Sequence, residues 1–179
     1  DYDRAATYFR SAADILVEQA PADRAIADHN AGLCNYAQQQ YEAALASFTA
    51  ALEHWQLVED TLGVALTLDY LGRVYAHQQD YWLALGSFEA ALDVLCGLAR
   101  QQDVRAEAAD LLSQIAHLCE QTCHWDLAIV YWLDALTIAP DPHPAMPAAV
   151  LGRVGQLHHR LGQTAIARHY YQGAAKLIG

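Results

Sequence analysis

One short word recurs five times in this 179-residue chain, and it constrains the fold more than any other feature. It appears as "YDRAATYFRSAA", "YEAALASFTAAL", "YWLALGSFEAAL", "WDLAIVYWLDAL" and "TAIARHYYQGAA". Each copy has an aromatic residue or Thr, Ala three residues on, a ring four later and Ala three later again. The rings are Phe9, Phe48, Phe88, Trp132 and Tyr171, at nearly even intervals apart from a longer one between Phe88 and Trp132. The small residues are Ala5, Ala44, Ala84, Ala128 and Ala167, then Ala12, Ala51, Ala91, Ala135 and Ala174. Spacings of three and four place all of them on one helical face. Alternating rings with Ala lets a bulky side chain enter the space left by small ones on a neighbouring helix.

A second helical pattern precedes the last four words: "DHNAGLCNYAQQQ", "LDYLGRVYAHQQD", "LLSQIAHLCEQTC" and "AVLGRVGQLHHRLGQ". Its small residue, Gly32, Gly72, Ala116 or Gly155, always stands at the same distance before the ring, Phe48, Phe88, Trp132 or Tyr171. A small residue there permits close backbone approach. The unit is therefore two antiparallel helices joined by a tight turn, and the chain is a series of such units. Tyr41, Tyr81 and Trp125 are expected to close the turns with apolar contact.

This arrangement resembles the tetratricopeptide repeat, best in "YLGRVYAHQQDYWLALGSFEAAL" with Leu71, Gly72, Tyr75, Tyr81, Ala84, Phe88 and Ala91. Pro140 closes the third unit where the family often has proline. Asn35 and Cys119 depart from a typical Tyr, and Thr164 from an aromatic. The period exceeds the family's usual one and resembles its longer-repeat variety. Asn30-Ala31-Gly32 echoes that variety's Asn-Leu-Gly. The resemblance implies an all-α, right-handed superhelical solenoid of antiparallel helix pairs: nine helices and no sheet. One domain is expected over 1–179, with 1–20 the second helix of a truncated repeat and repeats at 22–58, 60–98, 102–139 and 145–178. The start at Asp1, in mid-pattern, reads as that of a fragment. The long interval between Phe88 and Trp132 is expected to add about one helical turn near "GLARQQDV", and "APDPHPAMP" to form a stiff connector.

Composition narrows the function. With 54% apolar and 17% charged residues, 21 acids against 10 bases and a net charge of −11, the chain lacks the positive charge that nucleic acid or an anionic membrane would require. No apolar run approaches the ~20 residues of a membrane span, so direct membrane insertion is not expected. Four cysteines do not suggest a disulfide scaffold, and a cytoplasmic location follows. No HExxH, GxSxG or Walker-type motif is present, and no enzymatic activity or cofactor is expected.

"HLCEQTCHW", residues 117–125, has the densest chemistry. His117 lies about 200° around the helix from Cys119 and is expected to face away from the partner helix. One tetrahedral metal does not easily collect both, although Cys119, Cys123 and His124 can converge. Packing cysteines in a repeat turn are the reading adopted, with no metal site. His158 and His159 are adjacent and point different ways.

The resemblance implies a concave surface, lined by the first helix of each pair, that binds a protein or peptide. By phase from the small residues this surface holds Asn30, Leu33, Tyr70, Arg73, Gln114, His117, Arg153 and Gln156. One turn to either side adds His29, Tyr36, Asp69, His77, Asp110, Glu120, Gln121, His159 and Arg160. A family subset grips C-terminal carboxylates with basic and Asn side chains. His29, Leu33 and Tyr70 stand at those positions here, so chaperone tails are not the expected ligand. Residues 1–140 have net charge −14 and residues 141–179 have +3. Arg153 and Arg160, two turns apart, therefore suggest a cationic strip with Gln156 and His159, facing an acidic ligand group. The expected role is a scaffold, adaptor or assembly factor. The alternative is a regulatory or ligand-sensing domain of a larger signalling protein. Self-association through exposed repeat ends is a further expected mode.

Overall fold

A computed structural model describes residues 2–15, 21–100, 102–139 and 145–178. Residues 16–20 and most of the proline connector, including Pro140, lie outside the described residues. Among the described residues there are nine α-helices and no strand: α1 (Tyr2–Ile15), α2 (Pro21–Ala37), α3 (Tyr41–Leu57), α4 (Thr61–His77), α5 (Tyr81–Leu98), α6 (Arg105–Gln121), α7 (Trp125–Ile138), α8 (Ala145–Arg160) and α9 (Thr164–Ile178). They fall into two compact units, Asp1–Gln101 and Gln102–Gly179, here called unit 1 and unit 2.

The hairpins α2–α3, α4–α5, α6–α7 and α8–α9 share one turn. Gln39, Gln79, Cys123 and Gly162 adopt left-handed backbone, with φ of 61°, 64°, 62° and 76°. In each turn the next amide donates back five positions: Gln40 to Asn35 O, Asp80 to Tyr75 O, His124 to Cys119 O and Gln163 to His158 O, at 2.8–2.9 Å. This is the wrap-around that closes a helix whose last carbonyls would otherwise lack donors. Asp60 and Asp80 cap α4 and α5, accepting from Gly63 N (2.8 Å) and Leu83 N (3.4 Å).

The repeated word packs as its spacing predicts. A Cβ placed on Gly32 would lie 2.5 Å from the Phe48 ring; on Gly72, 2.5 Å from Phe88; on Gly155, 2.7 Å from Tyr171. Ala116 takes the same place in the sequence relative to Trp132, and both are buried. Ala44, Ala51, Ala84, Ala91, Ala128 and Ala135 have no exposure at all. Within unit 1 the hairpins stack through Trp55, whose ring lies against Gly63.

Two local expectations are corrected. The long interval between Phe88 and Trp132 does not add a helical turn: α5 is one residue longer than α3, and the rest of the insertion lengthens the connection before α6. Val104 is buried at the start of α6, and Asp103 pairs with Arg105. By length and composition, α5 is also apolar enough to cross a membrane. Glu89 and Asp93 interrupt it, and Ala84, Phe88, Ala91 and Leu95 are buried along it, which marks it as a repeat helix.

Candidate functional site

In unit 1 the predicted residues of α2 and α4 meet in one aromatic network. Tyr70 is its centre. Its ring stacks on Phe48 (centroids 5.5 Å apart, 23° between planes) and meets the edges of His29 (5.7 Å) and Tyr36 (6.0 Å). The Arg73 guanidinium lies over the same ring at 5.3 Å. Asp69 holds Arg73 from one turn earlier, with Nε at 3.0 Å from Oδ1 and Nη2 at 2.8 Å from Oδ2. Such a two-point pair fixes the plane of the guanidinium as well as its position.

Two further bonds tie α2 to α4. The Thr67 hydroxyl donates to Gly63 O (2.8 Å), so its lone pair faces His29 Nδ1 at 3.0 Å. His29 therefore carries its proton on Nδ1, and Nε2 is left as an acceptor. Burial lowers the His29 pKa to about 4, so the ring is neutral at neutral pH. At the other end of the helices, Tyr36 Oη lies 2.9 Å from His77 Nε2, and Tyr41 stacks on His77 at 5.3 Å. Burial raises the pKa of Tyr36, with Arg73 opposing, so its hydroxyl keeps its proton and can donate to His77. Leu33 packs at the margin of the core beneath this network, and Asn30 is half-buried beside it in sequence.

Two large aliphatic side chains on the same face lie one turn beyond the positions that phase selects. Ile26 and Leu66, four before Asn30 and Tyr70, are 47% and 37% exposed. The repeat period pairs them, so following the face for one more turn finds both. Tyr41 does more than close its turn, because it also belongs to the ring network.

Unit 2 brings its predicted residues together differently. Glu120 Oε1 accepts from Trp132 Nε1 (2.8 Å) and Arg153 Nε (2.9 Å), and Oε2 lies 2.8 Å from Arg153 Nη2. Glu120 is 11% exposed and Arg153 42%. Arg160 lies over the Trp125 ring at 4.9 Å. Both arginines of the expected cationic strip therefore have contacts outside α8. Arg153 is held by an acid of α6 and Arg160 by a ring of α7, partners invisible to a reading of α8 alone. Gln156 and His159 are exposed on α8, Gln114 is half-buried on α6, and Asp110 and Gln121 are exposed there.

His117 also departs from expectation. It is exposed, but its ring meets the edge of Trp132 on the partner helix at 4.9 Å, because an indole extends further than a phenyl. Burial lowers its pKa, with Glu120 opposing and Arg153 reinforcing. Cys119 is buried, and burial raises its thiol pKa, which disfavours the thiolate that a metal requires. Cys123 is exposed in its left-handed turn, and His124 Nδ1 lies 2.9 Å from Thr122 Oγ1. His158 stacks on Tyr170 at 5.2 Å. Among the described residues no three His, Cys, Asp or Glu side chains form a metal-binding group.

Helix hairpins seated ring-against-glycine at a regular period define an α-helical repeat protein. Residues 23–96 match the tetratricopeptide repeat family. The fold of the chain is similar to that of BtubC (BKLC) from P. vanneervenii, with a TM-score of 0.84 and 19% identity, over 99% of this chain and 73% of that one. It is similar to a putative kinesin light chain with TPR-like repeats from Podospora anserina (0.77, 12%, over 98% and 86%). It is also similar to a Rap protein complexed with competence and sporulation factor (0.67, 21%, over 92% and 45%). No curated protein sequence matches the chain.

Proposed function

We propose that the α2–α4 face of unit 1 binds a segment of a partner protein, as a scaffold or adaptor does. The observation that carries this is the ring network around Tyr70. It ties rings of α2 and α4 to one another on the helix face that also carries the exposed aliphatics Ile26 and Leu66, and preorganised rings bind at low entropic cost. The repeat fold is in general a non-catalytic interaction scaffold, which fits this reading. The similar Rap structure holds a competence and sporulation factor, and another Rap protein, a conjugation gene regulator, is in complex with a peptide. Those ligands support a peptide here, and the second of them also favours a regulatory, ligand-sensing role as the second reading.

The ligand chemistry follows from the face. Unit 1 carries 14 acids and 5 bases, and its Arg73 is held by Asp69. A segment with Leu- or Ile-type side chains for the apolar shelf and Lys or Arg around them fits best. The four free cysteines suit a cytoplasmic setting.

The test is selection of binders from a displayed library of peptides against the full chain, followed by affinity measurement on variants. Leu66→Asp and Tyr70→Ala should each weaken the selected peptides at least tenfold. Glu89→Lys, on an exposed position of α5, should leave them unchanged. The proposal fails if no peptide is enriched, or if the α4 variants bind as wild type does.

A further inference from the structure

The residue three before the small one that seats the ring differs in every hairpin: His29, Asp69, Ser113 and Gly152. Asp69 pairs with Arg73 of its own helix, Ser113 donates to Ala109 O at 2.9 Å, and Gly152 has no side chain. His29 instead reaches the neighbouring first helix, where its Nδ1 lies 3.0 Å from Thr67 Oγ1. Thr67 is fully buried and donates to Gly63 O, so it accepts from the Nδ1–H of His29. The imidazole also stands edge-on to Phe48 and Tyr70, with centroids at 5.5 and 5.7 Å. Contacts on α3 and α4 thus fix the ring, and burial keeps it neutral. Its second nitrogen, Nε2, is not a buried atom, and no donor among the described residues reaches it.

We infer, resting on the peptide-binding reading of the α2–α4 face, that His29 is a specificity-determining residue there: its Nε2 lone pair accepts one N–H of the bound segment, and Thr67 is the positioning residue that holds this tautomer. A neutral imidazole with its proton on Nδ1 presents only an acceptor at Nε2. It takes an amide, ammonium or guanidinium N–H. It turns away a carboxylate or carbonyl oxygen, which would meet it lone pair to lone pair. Such a site discriminates sharply, because the wrong partner leaves desolvated polar groups unpaired. Ile26 stands one turn before His29 on the same helical face, so a side chain seated on Ile26 brings its own backbone near Nε2. The preference agrees with the charge of unit 1, 14 acids against 5 bases, which also favours donor-rich segments.

The test has two arms. In the free full chain at neutral pH, 15N NMR of the imidazole nitrogens should show His29 protonated on Nδ1 and bare on Nε2, and Thr67→Val should relax that preference. In the second arm, a library-selected peptide whose binding is lost on Leu66→Asp is remade as a scan. Each backbone amide in turn becomes an ester, which removes one N–H without adding bulk, and each side-chain donor becomes an apolar isostere, so the scan also tells backbone from side chain. One such change should weaken binding about tenfold in wild type and less than about threefold in His29→Phe, with Thr67→Val in between. A merely structural role for Thr67 would lower the affinity of every peptide alike and leave the pattern of the scan unchanged. The proton found on Nε2, or a scan that is the same in wild type and His29→Phe, would overturn the inference and leave the peptide-binding reading standing. If no peptide is enriched, both fall.

Discussion

Replacing Gly72 by Ala should destabilise the protein although Ala is the better helix former. In the helix interior the exchange contributes about 1 kcal/mol in favour of Ala. Against this, the new methyl would sit 2.5 Å from Phe88 Cε1 and 2.6 Å from Cδ1, about 1 Å inside ordinary contact. Phe88 is 1% exposed and cannot swing away without moving α5 or leaving its rotamer. Overpacking of that kind costs about 1–3 kcal/mol and more when backbones must part. With Phe88 held in place the upper part of that range applies, about 2–3 kcal/mol, so the net expectation is a loss of about 1–2 kcal/mol, or a melting point lower by roughly 2–8 °C for a chain of this size. Gly86 is the internal control: it lies within α5 with nothing within 4 Å of its would-be Cβ. Gly86→Ala should raise the melting point by roughly 1–4 °C. Far-UV circular dichroism melts read both. Phe88→Leu should restore part of the loss in the Gly72→Ala background, since the two residues share one contact. If Gly72→Ala melts at or above wild type, or the double variant shows no coupling, the ring-against-glycine account of the hairpin is wrong.

The other expectations concern single side chains. His29 has a pKa of about 4 in the folded state against 6.5 unfolded, so the unfolded chain takes up the proton first and stability falls as pH drops through that window. Between pH 7 and pH 5 the loss is about 2 kcal/mol, and urea midpoints should show His29→Gln losing less over the same range. Cys123→Gly should stabilise by up to about 1 kcal/mol because glycine adopts φ of 62° without strain, whereas Cys123→Val should destabilise; thermal melts decide it. Arg153→Glu sets two acids against each other at a carboxylate that is 11% exposed and should cost unit 2 about 1–3 kcal/mol. Arg153→Met should cost less, and denaturant titration separates the two.

The hairpins are legible in the sequence because each helix carries its own periodic signal and the constant ring-to-glycine distance states which helices pair. The turns are less visible. Gln39, Gln79 and Cys123 take the left-handed conformation in which only Gly162 announces itself, because the wrap-around bonds tolerate other residues there. Phase arithmetic brings His29, Tyr36, Tyr70, Arg73 and His77 to neighbouring positions, and the structure joins them in one network. It does not show which side chains satisfy one another. Glu120 and Arg153, like Trp125 and Arg160, are far apart in the chain and lie on different helices. A charge read along α8 alone therefore looks free when it is paired. Ile26 and Leu66 escape the sequence reading because it follows the face for too few turns.

The most direct measurement is an NMR map of where a selected peptide sits. The full chain, labelled with 15N and with 13C in the methyls of Ile and Leu, is titrated with the tightest peptide from the library. The account predicts saturable shifts at Ile26, Leu33, Leu66, Tyr70 and Arg73, with the peptide's apolar side chains showing contacts to the Tyr70 and Tyr36 rings. Shifts confined to exposed side chains of the second helices, such as Trp82, Leu127 and Val130, with α2 and α4 silent, would contradict it.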